Sequence, residues 1–145
     1  MNAERKRLVL ESWEAIGRNH DGVAVAFYDR LFEIDSGARA LFAKTNMVAQ
    51  RAKFVQMLGD IVRNLDLPRE LIPTVSALGR RHVDYGVRDA DYDRVREALF
   101  AAVAAELGAG FTDEVRDAWE EAYALTAAVM KRGAHAGVSE PSASQ

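Results

Sequence analysis

Residues 72–83 read Ile72-Pro73-Thr74-Val75-Ser76-Ala77-Leu78-Gly79-Arg80-Arg81-His82-Val83. The spacing predicts a helix whose Val75, Leu78 and His82 line one side, because positions three and four apart share a helix face. Of the three histidines in the chain, His82 is the one that falls on such an apolar face. A neutral imidazole there is either a core side chain with its polar atoms satisfied or a metal ligand. The stretch alone leaves both open.

Working outward, Pro68 and Pro73 can each occupy the first turn of a helical segment. The segment carrying His82 is therefore predicted to begin near Pro73 and to stop at Gly86, where glycine suits a left-handed C-terminal residue. Upstream, Leu8, Val9, Trp13 and Ile16 predict a helix ending near Gly17. Val23, Phe27, Tyr28, Leu31 and Phe32 predict a second, and Ser36 to Phe42 a short third. Asn46 suits the cap of a fourth helix, with an apolar stripe of Met47, Phe54, Leu58, Ile61 and Leu65. Gly59 inside it costs about 1 kcal/mol relative to alanine, and a close crossing with another helix would explain its presence. Downstream, Asp89 or Asp91 suits the cap of a helix bearing Tyr92, Val95, Leu99 and Val103. Thr112 suits the cap of a last long helix with Val115, Trp119, Ala122, Thr126 and Val129. No strand alternation and no internal repeat is present, so the fold class is all-α.

The length of 145 residues suits a single domain. A packed domain is expected over 1–133, followed by a small, polar, disordered tail over 134–145. Apolar residues make up 49% and charged residues 28%, ordinary values for a soluble chain. The net charge of −3 offers no basic field for a phosphate backbone, so nucleic acid is not an expected partner. Cysteine is absent, which removes disulfides and thiolate metal sites and is compatible with a reducing cytoplasm. The N-terminal segment meets a charge too soon for a signal-peptide core, and the apolar run from Ala98 to Ala105 is too short to cross a bilayer. The expected location is cytoplasmic.

Several chemistries are missing from the sequence. There is no Gly-rich phosphate loop after a strand, no His-Glu-x-x-His zinc motif and no paired cysteines, and no nucleophile elbow. No carboxylate sits at matching spacing around His82 to complete a protein-only metal site. One axial histidine is nevertheless enough for haem, because the porphyrin supplies the other four nitrogens.

A haem also needs large apolar walls and polar or basic residues at the rim for its propionates. Phe42 leads into the polar stretch Ala43-Lys44-Thr45-Asn46, which reads either as an ordinary core ring or as a ring packed on a porphyrin. Arg81 and Lys53 are candidate propionate partners, or simply solvated charges. Gln50 and Phe54 are four apart and share a helix face. Gln50 is either a helix-edge residue in water or a donor aimed at a ligand on iron. Tyr28 is either a core tyrosine or a second such donor.

In this order, these residues resemble a globin. The likeness runs from about Arg5 to Lys131. It rests on Ala26-Phe27-Tyr28-x-x-Leu31-Phe32, Leu41-Phe42, Gln50-x-x-x-Phe54, Leu78-Gly79-Arg80-Arg81-His82-x-x-Tyr85-Gly86-Val87, Tyr92 and Ala118-Trp119-x-x-Ala122-Tyr123. It is strongest toward the single-domain bacterial globins related to flavohaemoglobins, with some similarity to neuroglobin. The resemblance implies a globin fold of about six to eight helices around haem b, with His82 as proximal iron ligand and Phe42 on the haem. It implies Tyr28 and Gln50 as the distal polar pair, with Phe54 one turn further on. Lys53, Leu78, Arg81, Val87 and Tyr92 complete the expected cofactor contacts. Flavohaemoglobins also carry a glutamate in the last helix that works with a tyrosine to orient the proximal histidine. Tyr92 matches that tyrosine, but the glutamate's place falls at Ala134. Gln50 replaces the distal histidine of neuroglobin, so a bis-histidine iron is not expected.

The function so implied is reversible binding of dioxygen, and of nitric oxide or carbon monoxide, by a monomer or weak homo-oligomer. Oxidation of nitric oxide to nitrate follows if a separate reductase returns the iron to ferrous, since no flavin or nicotinamide domain is present. A gas sensor acting through a partner protein, or a haem-free globin-fold interaction module, are the alternatives.

Overall fold

The computed structural model describes residues 1–84, 88 and 90–143, and the side chains of all of these except 83, 84 and 134–143. Among the described residues there are seven α-helices and no strand: α1 (Ala3–Ile16), α2 (His20–Ile34), α3 (Ser36–Leu41), α4 (Met47–Arg63), α5 (Pro68–Asp84), α6 (Asp91–Leu107) and α7 (Asp113–Ala143). None is long and apolar enough to cross a membrane.

Local chemistry sets most helix starts. Oδ1 of Asn2, Asp35 and Asn46 accepts from the backbone N–H of Arg5 (2.8 Å), Gly37 (3.1 Å) and Ala49 (3.2 Å). The Thr112 hydroxyl accepts from the N–H of Val115 at 3.2 Å. Each satisfies a donor that the first helical turn leaves over. Gly17 ends α1 at a φ of 60°, a conformation costly for a residue with a Cβ.

Three expectations change. The helix of His82 starts at Pro68, not near Pro73, and Pro73 lies inside it. Proline forgoes one intrahelical bond, but Pro73 and Arg69, whose carbonyl loses the partner, are both exposed, so water can replace it. At the start of α6, Asp91 is already helical and the cap position is Ala90; the Asp91 carboxylate instead accepts from the Arg88 N–H at 2.8 Å. The other candidate cap, Asp89, lies outside the described residues, as does Gly86. Finally, Gly59 does not mark a helix crossing. The atoms nearest to where its Cβ would stand belong to the flexible Arg63 guanidinium, at 3.0–3.5 Å.

The close crossing is elsewhere. A Cβ on Gly79 would lie 2.1 Å from the Met130 carbonyl oxygen, and one on Gly133 would lie 2.4 Å from that of Ser76. Here α5 and α7 touch backbone to backbone, and among the described residues this is the most extensive helix contact, followed by α2 on α6. The helical backbone of α7 continues past residue 133 to Ala143, and the side chains of that extension lie outside the description.

The core is built in two parts. The larger gathers Val9, Trp13, Phe27, Tyr28, Leu99 and Trp119 with their neighbours. The smaller gathers Leu71, Val75, Tyr92, Ala127, Val129 and Met130. Ile61 and Tyr123 pack against both. In the larger part, Trp119 Nε1 donates to Ser12 Oγ at 2.9 Å, and Ser12 Oγ donates to the Val9 carbonyl at 2.9 Å. Ser12→Ala leaves the buried indole N–H without that acceptor and should cost about 1–3 kcal/mol. An unchanged urea midpoint would show that the indole needs no partner there. His20 is likewise structural: its ring stacks on Trp13 at 3.9 Å, and Nε2 donates to the Trp13 carbonyl at 2.8 Å.

Candidate functional site

Helices α2 and α4 bring Tyr28 and Gln50 together. Tyr28 is buried on the inner face of α2 and Gln50 is half-buried in the first turn of α4. Gln50 Nε2 donates to Tyr28 Oη at 3.0 Å. The phenol therefore spends its acceptor on the amide and keeps its own proton to donate elsewhere. Burial pushes the Tyr28 hydroxyl above its ordinary pKa of 10.0, and the amide hydrogen bond opposes this only in part. At physiological pH it is neutral and can donate.

Aromatic rings box in the pair. Phe42, the residue that ends α3, meets Tyr28 edge-on at 5.5 Å, and Phe54 does so at 5.7 Å. Phe54 stacks on Phe27 at 4.4 Å, and Phe32 packs on Phe42 at 5.8 Å. The sequence marked Phe42 and Phe54 as pocket residues, whereas Phe27 and Phe32 entered only as part of a pattern. Phe32 follows Tyr28 by four residues and so shares its helix face, whereas Phe27 is its chain neighbour and joins the box through its stack on Phe54.

His82 stands in the last turn of α5, half-buried. Its Nδ1 bonds the Leu78 carbonyl oxygen at 2.7 Å. A carbonyl can only accept, so Nδ1 carries the proton and Nε2 carries the lone pair. Burial holds the imidazole pKa below its ordinary 6.5, the Leu78 carbonyl opposes this, and the Arg81 charge adds to it. His82 is therefore neutral at neutral pH, the state a metal ligand requires.

The other expected contacts divide. Leu78 packs against the smaller core part and Tyr92 is a buried member of it, so both lie with α5. Tyr123 Oη donates to the Tyr92 carbonyl at 2.6 Å, and the Lys131 ammonium sits 5.0 Å from the Tyr92 ring centre. The sequence reading missed that cation, because a lysine eight residues beyond Tyr123 carries no local signal of the ring it covers. Lys53 and Arg81 are exposed, and among the described residues neither has an ion-pair partner. Val87 lies outside the described residues, and the side chain of Ala134 does too.

The donor set can be tested against haem. Among the described residues no three of His, Asp and Glu converge to hold a metal ion. A single oriented imidazole suits an iron whose remaining equatorial ligands come with it. The two candidate faces belong to different parts of the core: Tyr28 is in the larger, with Phe42 and Phe54 packed against it, and Val75 and Leu78, on the helix of His82, go with the smaller.

Known proteins resemble this chain in sequence and in fold. The family model described as Globin matches residues 25–130. The chain is 28% identical to a neuroglobin from Dissostichus mawsoni, with 92% of each chain covered. It is 29% identical to an anaerobic nitrite reductase, NSHB5, from Oryza sativa subsp. indica, over 88% of this chain and 91% of that one. Among solved structures, an engineered carbene transferase from Rhodothermus marinus, whose parent is a proposed nitric oxide dioxygenase, superposes with a TM-score of 0.83. It is 25% identical and covers 93% of this chain and 94% of its own. A hexacoordinated heme protein from an anhydrobiotic tardigrade shares the fold, with a TM-score of 0.84 at 17% identity, covering 93% of this chain and 96% of its own.

Proposed function

The chain belongs to the globin family, and from that premise we propose that it holds haem b through His82 and binds dioxygen reversibly beside Tyr28 and Gln50. The observation that carries this reading is the 2.7 Å bond from His82 Nδ1 to the Leu78 carbonyl, which supports Nε2 as the nitrogen that would bind iron. When bound, the haem would supply an iron able to take up a diatomic gas.

The protein's own residues do the rest. The Leu78 carbonyl orients the imidazole and increases its basicity as a ligand. Tyr28 donates its proton to a gas ligand that carries partial negative charge, and Gln50 holds the phenol in place. If the two contribute about 1–2 kcal/mol each, binding tightens by about 30-fold to 1,000-fold over an apolar pocket. Phe42 and Phe54 exclude water and wall the porphyrin, with Leu78 and Tyr92 on the side of His82. Lys53 and Arg81, exposed and unpaired among the described residues, stand ready for the propionates.

The test is an absorption series on purified protein: ferric, ferrous, and ferrous with carbon monoxide. A Soret band that shifts with redox state and with gas is the expected result. No Soret band after haem is added would instead make the chain a haem-free interaction module.

The likeness to a proposed nitric oxide dioxygenase favours one enzymatic use. Dioxygen, nitric oxide and one electron give nitrate, the electron coming from a separate reductase. Protein loaded with dioxygen, mixed with nitric oxide and a reductant, should then turn over many times. A single stoichiometric event would favour storage, or sensing through a partner protein. The setting proposed for this chemistry is a cytoplasmic monomer or weak homo-oligomer.

A further inference from the structure

We infer that Gly79 and Gly133 are positioning residues for His82, clamping the proximal helix to α7 so that α7 sets where the imidazole stands. This inference rests on the reading of His82 as the iron ligand. The two glycines form a reciprocal pair. Gly79 of α5 faces the Met130 carbonyl of α7, and Gly133 of α7 faces the Ser76 carbonyl of α5. Residues 76 and 79 are one turn apart, as are 130 and 133, and the helices run antiparallel, so the contacts are two rungs of one crossing.

At each rung the hydrogen that replaces a side chain points at a carbonyl oxygen. This is the geometry of a weak Cα–H···O bond, which recurs where helices approach closely. Such bonds add little energy, but the backbone-to-backbone distance leaves α5 no room to slide or roll against α7. Each methyl would meet backbone carbonyl atoms, at 2.1 Å and 2.4 Å, which cannot rotate away as a side chain does.

His82 inherits this restraint directly. Gly79 is three residues before it on the same helix, and Leu78, whose carbonyl orients the ring, is the neighbour of Gly79. A displacement of the crossing thus moves the imidazole and its hydrogen-bond acceptor together. By the same path, any pull on His82 from the iron side is delivered to α7 at Met130 and Gly133.

The test compares the wild type, Gly79→Ala, Gly133→Ala and, as control, Met130→Leu, which changes a side chain but keeps the facing carbonyl. Each is loaded with haem, and the iron–histidine stretching band of the ferrous protein is read by resonance Raman. The glycine variants should shift the band, whereas the control should leave it in place. Unshifted bands in folded glycine variants would overturn the inference. Hydrogen exchange on the wild type keeps the question answerable should both variants fail to fold. Adding haem should protect amides of α7 near residues 127–133 together with those of α5. Protection of α5 with no change in α7 would overturn it too. Absence of any iron–histidine band in the wild type would instead refute the ligand assignment itself.

Discussion

His82→Gly should abolish the histidine-ligated spectrum and weaken haem retention by more than about 100-fold, because loss of a group that merely hydrogen-bonds a metal ligand already costs about 10–100-fold. The substitution removes the one imidazole that α5 presents with its Nδ1 proton committed to Leu78. It also opens a space of the same shape, so added imidazole should enter and restore the spectrum. That rescue separates loss of a ligand from loss of the fold. A His82→Gly protein with the wild-type spectrum and gas affinity would show that another residue binds the iron.

The second large effect is expected on the opposite face. Tyr28→Phe keeps the ring, and with it the edge contacts to Phe42 and Phe54, and deletes only the hydroxyl. A hydrogen bond to a charged acceptor is worth about 1.5–3 kcal/mol, so dioxygen release should accelerate by about 10-fold to 100-fold. Carbon monoxide, which carries less charge when bound, should respond more weakly. Gln50→Leu should give a smaller acceleration, since the amide donates to the phenol rather than standing in for it. Stopped-flow release rates of the two gases decide the matter. Equal effects on both would mean that Tyr28 acts by bulk, and an unchanged rate would remove it from the mechanism.

Much of this was legible before any coordinates, for identifiable reasons. Periodicity reports which face of a helix is buried, so Trp13, Phe27, Leu99 and Trp119 fell where they were expected. Capping is chemistry between near neighbours, so Asn46 and Thr112 read correctly from sequence. The helix of His82 began early because a proline's cost depends on whether water can reach the carbonyl it orphans, and that is a tertiary fact. Gly59 and Gly79 illustrate the same limit. The argument that a mid-helix glycine marks a close crossing is sound, but sequence does not say which glycine faces a neighbour, and the crossing belongs to Gly79. The Tyr28–Gln50 bond was legible only as two polar residues on converging apolar faces. Which of them donates to the other is a matter of geometry.

The two-part core has a consequence for the chain before it is loaded. Among the described residues, Ile61 and Tyr123 pack against both parts, so a copy lacking its prosthetic group keeps α5 fastened to α7 but joins it to the larger part of the core through few side chains. Local opening is cheapest where few apolar contacts must be broken, and a ligand that seats only on the closed form suppresses it by mass action. Limited proteolysis should therefore nick the unloaded chain first at residues 64–67, where α4 passes into α5, and spare the loaded one. A cell could use that difference to discard copies that never acquired iron.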